Sequence, residues 1–147
     1  MKTLRILAID DHEMTMLGYK FILERIVFEG HSIIVDTANT FEMGKRLIEE
    51  SVHSFKYDIL FLDVQMYPHN EHQPQTEEDL GILARKLVPE TKIVFMSSFS
   101  DNYRINSILK SVDPDGYLVK TDIDPKTLED AVKTVTLNPP YYSSKAL

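Results

Sequence analysis

The 147-residue chain contains no cysteine and no tryptophan. Without cysteine there is no disulfide framework, no thiolate nucleophile and no cysteine-rich zinc site, and thiols say nothing about redox compartment. No apolar run approaches the length that a bilayer-spanning helix requires. The N-terminus, Met1-Lys2-Thr3-Leu4-Arg5, leads into a short apolar stretch, Ile6 to Ile9, which Asp10 stops. A secretory signal needs a longer stretch and a small-residue cleavage site. A cytoplasmic location, away from any membrane, is therefore expected by default. Basic residues are not in excess either: 16 Lys and Arg stand against 23 Asp and Glu, a formal net charge of −7. That balance speaks against broad binding of nucleic acid or anionic membrane by this segment itself. Also absent is any Gly-x-x-x-x-Gly-Lys-Ser/Thr stretch, which excludes a P-loop nucleotide hydrolase.

What is present is an alternation of short apolar runs with longer stretches of helical periodicity. The length suits one domain with a proper core. Leu4 to Ile9 reads as a buried strand, and Met14, Leu17, Phe21, Ile22 and Ile26 then recur at helical spacing. Ile33-Ile34-Val35 is a second strand, and Thr40 stands as cap to a helix with Met43, Leu47 and Ile48 on one face. The third strand, Tyr57 to Leu62, is continuously apolar, as suits a strand covered on both faces, and it stops at Asp63. A polar loop from about Tyr67 to Gln75 precedes Thr76-Glu77-Glu78-Asp79, a capping-box pattern opening a helix through Leu80, Leu83, Ala84 and Leu87. Lys92 to Met96 is the fourth strand, followed by Ser97-Ser98. Ile105, Ile108, Leu109 and Val112 mark a helix, and Tyr117-Leu118-Val119 is a fifth strand ending at Lys120. Asp124-Pro125 supplies an N-cap and a proline at the first helical position, ahead of a stripe of Leu128, Ala131, Val132 and Val135. Five βα units predict a parallel sheet with helices on both faces and right-handed crossovers. From Asn138 the periodicity dissolves, so 1–137 is expected as the domain and 138–147 as an exit segment or the start of a linker.

In an open parallel sheet, functional groups gather at the carboxyl ends of the strands. The residues expected there are Asp10 and Asp11, Asp63, Ser97 or Ser98, and Lys120. Clustered carboxylates repel one another unless a counter-charge is supplied. A hard cation such as Mg²⁺ does this while keeping coordination positions for waters and phosphate oxygens. Aspartate can act as a nucleophile toward phosphorus, and phosphoryl transfer demands mainly positioning and neutralisation of the equatorial oxygens. Each residue alone has a plainer reading. Asp10-Asp11 could end a strand at a turn, Lys120 could be a solvated lysine, and Tyr117 a packed strand aromatic. His69 and His72 read as exposed loop histidines, and Glu77-Glu78-Asp79 as a first helical turn. His12, directly after the acid pair, could touch the site but receives no role.

Four stretches, taken in order, resemble the receiver domain of bacterial response regulators. They are Ile6-Leu7-Ala8-Ile9-Asp10-Asp11-His12, Ile59-Leu60-Phe61-Leu62-Asp63-Val64-Gln65-Met66, Lys92-Ile93-Val94-Phe95-Met96-Ser97 and Asp115-Gly116-Tyr117-Leu118-Val119-Lys120. The resemblance covers the chain to about Leu137 and implies a flavodoxin-like (βα)5 fold, an α/β sheet of parallel strands in the order 2-1-3-4-5. It further implies that Asp63 is the phosphoacceptor. Asp10, Asp11, Asp63 and the backbone carbonyl of Gln65 would hold Mg²⁺ (or Mn²⁺). Lys120 would pair with the phosphate, Ser97 would be the switch hydroxyl, and Tyr117 would be an aromatic that turns inward on phosphorylation. The partner implied is a sensor histidine kinase, with homodimerisation on phosphorylation.

The sequence departs from the family pattern in two places. Tyr67 separates Met66 from Pro68, and Val112-Asp113-Pro114-Asp115-Gly116 is about one residue longer than the common form. The second leaves Ser97 and Ser98 both open as the switch hydroxyl, with the count from the start of strand four favouring Ser97. The tail Pro139-Pro140-Tyr141-Tyr142-Ser143 and the Asp10-Asp11-His12 ending look like the NarL/FixJ (LuxR-type) subfamily, whose members carry a helix-turn-helix DNA-binding domain after the receiver. Transcriptional output through such a domain is one expectation; a stand-alone or phosphorylation-independent interaction module is the alternative. An aspartyl-phosphate hydrolase is disfavoured. Such enzymes usually place a second acid two residues beyond the nucleophile, where this chain has Gln65.

Overall fold

A computed structural model describes residues 1–64, 77–98 and 109–146. Its strands are β1 (Lys2–Ile9), β2 (His31–Ala38), β3 (Ile59–Val64), β4 (Lys92–Ser97), β5 (Gly116–Val119) and β6 (Tyr141–Tyr142). Its helices are α1 (Glu13–Leu23), α2 (Phe41–Ser51), α3 (Glu77–Leu87) and a C-terminal helix (Pro125–Leu137). Residues 109–112 are helical and lead into β5. The strands form one parallel sheet in the order β2-β1-β3-β4-β5-β6. The (βα)5 order expected from the sequence is present, with one strand added at the β5 edge.

Strand alternation divides the interior into two cores, one on each face of the sheet. Leu7, Ile9, Leu60, Leu62, Ile93, Phe95 and Val119 point to the face covered by α2 and α3. Leu4, Ile6, Ala8, Ile59, Phe61, Val94, Met96 and Leu118 point to the face covered by α1 and the C-terminal helix. Every residue of β3 is buried, which is why that segment reads as a continuous apolar run. Each such aliphatic or aromatic side chain contributes about 1.5–3 kcal/mol on burial, so the central strand is the best anchored part of the sheet. Thr40 caps α2 by accepting a hydrogen bond from the Met43 amide at 3.0 Å. Asp124 caps the C-terminal helix by accepting from the Thr127 amide at 2.7 Å. Leu128, Ala131, Val132 and Val135 are its buried stripe, as their spacing predicts.

Two expectations need correction. In α1 the buried residues are Met16 and Leu23, with Tyr19 and Ile22 half-buried, whereas Met14, Leu17 and Phe21 are exposed. The helix is apolar around much of its circumference, so periodicity does not choose the inward face; docking against β1 and β2 does. Lys20 and Glu24 hold that docking, the Lys20 ammonium donating to the Val35 carbonyl and the Glu24 carboxylate accepting from the Val35 amide.

The segment 138–147, expected as an exit segment or linker, folds back on the sheet as far as Ala146. Tyr141 and Tyr142 pair with Gly116 and Tyr117. The buried Ser143 donates its amide proton to the Tyr117 carbonyl and accepts the Val119 amide at Oγ. A Cβ on Gly116 would lie 3.2 Å from the Tyr141 carbonyl oxygen, so glycine allows β6 its close approach. The loop from Tyr67 to Gln75 with His69 and His72, Gln65, Met66, Thr76, Ile105 and Ile108 lie outside the described residues.

Candidate functional site

β1 and β3 are neighbours, with Ile9 opposite Leu62, so Asp10 and Asp63 emerge side by side at their carboxyl ends. Both are nearly inaccessible, at 2% and 1% exposure. β4 continues the edge with Val64 opposite Ser97, and β5 with Ser97 opposite Val119. Lys120 therefore follows directly into the same corner. Its ammonium nitrogen lies 2.6 Å from Asp63 Oδ1 and 4.0 Å from Asp10 Oδ2.

The polar balance of this corner is incomplete. Asp10 Oδ1 accepts the His12 amide at 2.8 Å. Asp10 Oδ2 and both Asp63 oxygens have no hydrogen-bond partner among the described residues, and the close Lys120 contact is an ion pair not aligned as a hydrogen bond. Such groups are rare in folded proteins because each forfeits its hydration. Burial accordingly pushes the Asp63 carboxyl up to about 7, with the neighbouring Asp10 charge adding and Lys120 opposing. Among the described residues the acids and one histidine converge: Asp10, Asp11, His12 and Asp63 each present a donor atom, all within 4.8 Å of one another. This is a cluster able to bind a metal ion.

Ser97 and Tyr117 form the second half of the site. Both are fully buried, and their hydroxyl oxygens are 2.6 Å apart. Ser98, the other serine considered, is exposed. Tyr117 was expected to turn inward on phosphorylation, yet its ring is already inside the core here. The strand alternation that places Leu118 on the opposite face assigns Tyr117 to this one.

Two residues to which the sequence reading gave no role lie near this corner. His12 places Nδ1 3.2 Å from Asp10 Oδ1 and 3.1 Å from Asp11 Oδ1. Tyr19, half-buried on α1, has its phenol pushed up to about 12, by burial first and then by the Asp10 and Asp63 charges. His12 is signalled by its place directly after the acid pair. Nothing in sequence marks Tyr19, because its nearness depends on how α1 docks.

No family model matches the sequence. The chain is similar to the oxygen regulatory protein NreC of Staphylococcus epidermidis, 27% identical over 146 residues, covering 97% of this chain and 59% of NreC. It is similar also to the response regulator protein VraR of Staphylococcus aureus, 26% identical over 136 residues, covering 89% of this chain and 56% of VraR. The chain thus spans little more than half the length of these curated relatives. In fold it resembles a LuxR family DNA-binding response regulator from Silicibacter pomeroyi, with a TM-score of 0.73 at 22% identity, covering 98% of this chain and 99% of that one. In its sheet order, in Asp10 and Asp63 buried against Lys120 at the strand ends, and in these relatives, the chain is similar to the receiver domains of response regulators of the NarL/FixJ type.

Proposed function

We propose that Asp63 is the residue that accepts the phosphoryl group, and that the domain works as a phosphorylation-controlled switch. The observation carrying this reading is the state of Asp63: a buried carboxylate whose oxygens accept no hydrogen bond among the described residues, ion-paired with the Lys120 ammonium and beside Asp10. A carboxylate kept so poorly solvated keeps its lone pairs available, and the lysine beside it lies where a transferred phosphoryl group needs positive charge. The phosphoryl group would come from the phosphohistidine of a sensor kinase. The P–N bond breaks, the imidazole leaves, and an Asp63 oxygen gains the new bond to phosphorus. The domain is thus the acceptor in a transfer, losing its phosphate slowly to water, rather than an enzyme with turnover.

The orphaned carboxylate oxygens fit a hard divalent cation, Mg²⁺ or Mn²⁺. Asp10, Asp11 and Asp63 are the side chains that would hold it, together with the Gln65 backbone carbonyl. Bound there, such a cation neutralises charge on the phosphoryl oxygens. Lys120 would pair with the same oxygens. Ser97, now bonded to Tyr117, would exchange that partner for the phosphate, and Tyr117 would follow to reshape the surface around β5. The response is a shift between populated states, favouring a homodimer or releasing a further domain. By analogy with its relatives, the reading extends to a cytoplasmic regulator acting on DNA through a LuxR-type output domain outside this segment.

The test is incubation with acetyl phosphate or beryllofluoride plus Mg²⁺, followed by intact mass and peptide mapping. The expected result is a labile, Mg²⁺-dependent adduct on Asp63 that is lost in Asp63→Asn. A folded protein that takes no adduct, or takes it elsewhere, rejects the assignment.

A further inference from the structure

Lys120 reaches Asp63 from a sparsely supported stretch of backbone. The β4–β5 ladder ends with Ser97 opposite Val119, one residue short of it. Lys120 then opens a short 3₁₀ turn, Lys120–Asp122, closed by the Ile123 amide donating to the Lys120 carbonyl. Its ammonium ends a flexible four-carbon stem, and the side chain is 26% exposed. Yet that ammonium lies 2.6 Å from Asp63 Oδ1. A stem of this kind keeps one position only if the turn it leaves is itself fixed.

The tail supplies that fixing, largely from one residue. Ser143 donates its amide proton to the Tyr117 carbonyl at 3.0 Å and accepts the Val119 amide at Oγ at 2.9 Å. The same hydroxyl donates to Asp122 Oδ2 at 2.7 Å, since one hydroxyl can both give and accept. Lys145 adds its amide to Asp122 Oδ2 at 2.8 Å and its ammonium to Thr121 Oγ1 at 2.9 Å. Bonds from the tail thus fall on Val119, Thr121 and Asp122, on either side of Lys120. Covering the sheet edge alone would need only the pairing of Tyr141 and Tyr142 with Gly116 and Tyr117. Ser143 is buried, so water competes little for its bonds.

We propose that Ser143, acting through Val119 and Asp122, is a positioning residue that aims the Lys120 ammonium at the phosphoryl group on Asp63. The inference rests on the reading of Asp63 as the phosphoacceptor. A charge stabilises a transferring group best when it is already in place and needs no reorganisation at the moment of reaction. Ser143 acts on the transfer only through Lys120. The tail is thereby part of the phosphorylation machinery, and whatever draws it away from β5 slows uptake at Asp63.

The test compares wild type with Ser143→Ala and Asp122→Ala by two measurements. Phosphoryl uptake from acetyl phosphate with Mg²⁺ is timed by intact mass, and amine reactivity is mapped with a succinimidyl ester. Asp122 is half-buried and its replacement leaves the Val119–Ser143 bond in place, so this variant decides the matter if Ser143→Ala does not fold. The expected result is uptake slowed by about tenfold in each, short of the roughly hundredfold that a 1 Å misplacement can cost. Reactivity at Lys120 should rise severalfold, while Lys56, just before β3 at the opposite end of the sheet, stays unchanged. Wild-type uptake in a folded variant, unchanged reactivity at Lys120, or a rise shared equally by Lys56 would overturn the proposal. A wild type that takes up no phosphoryl group would instead sink the reading of Asp63, and the labelling would still show whether the tail holds Lys120 in place.

Discussion

At Asp63 two demands conflict. The carboxylate must be ionised to attack phosphorus, yet its surroundings favour the neutral acid and push its pKa up to about 7. The consequence for stability has a definite sign. A folded-state pKa raised above the ordinary 3.8 means that the folded protein binds the Asp63 proton more tightly than the unfolded chain does. The stabilising contribution is therefore complete below about pH 4 and is lost as pH rises through about 7. Asp63→Asn, which stays neutral, should match wild type near pH 4 in EDTA. Above pH 8 it should be more stable by on the order of 2–4 kcal/mol. Urea denaturation at the two pH values checks this, and a variant less stable than wild type at high pH would contradict it. Tyr19 belongs to the same scale: its nearness to the acids is a property of side-chain placement that no residue-by-residue reading supplies.

Among the elements, β6 is the one whose behaviour sequence patterning missed. Two residues are too few to show alternation, and the flanking Pro139-Pro140 and Ser143-Ser144 carry loop chemistry. What holds the strand is hydrogen bonding to β5, centred on Ser143. Its hydroxyl donates to Asp122 Oδ2 at 2.7 Å and accepts the Val119 amide at 2.9 Å. Ser143→Ala leaves the buried Val119 amide without that acceptor and should cost about 1–3 kcal/mol. Hydrogen exchange should speed up at Val119 and Tyr141 well before the β3 amides respond. Unchanged exchange at those positions would show that pairing of the tyrosines suffices. The Asp122 carboxyl, held below its ordinary range first by this serine, should titrate at higher pH in the variant. In α1 the patterning failed for the opposite reason, an excess of apolar residues rather than a shortage.

At the scale of the whole molecule, two cores meet across one sheet, and the site sits where the strands end and both cores stop. Folding energy from hydrophobic burial is thus spent bringing incompletely satisfied carboxylates together, and a ligand that satisfies them should return part of it. Mg²⁺ at about a hundred times its dissociation constant should stabilise by roughly 2.7 kcal/mol. In a domain of this size that is a rise in Tm of roughly 5–10 °C. Thermal melts with and without Mg²⁺ measure it, and the shift should shrink in Asp63→Asn. A wild-type Tm indifferent to saturating Mg²⁺ would argue that the acid cluster does not hold the ion.

Sequence alone determined the alternation of strands and helices, the order of the chemistry along the chain and the helix caps. These depend on local periodicity and on short-range hydrogen bonding, as at Thr40 and Asp124. That Asp10, Asp63 and Lys120 share a corner was legible because a parallel sheet sends every strand's carboxyl end to the same edge. Only the tertiary structure decided which face of α1 is buried, that Tyr117 is already hydrogen-bonded to Ser97, and that the tail closes the sheet edge. Each of these is a contact between residues whose partners are chosen by docking, and local pattern holds no record of docking.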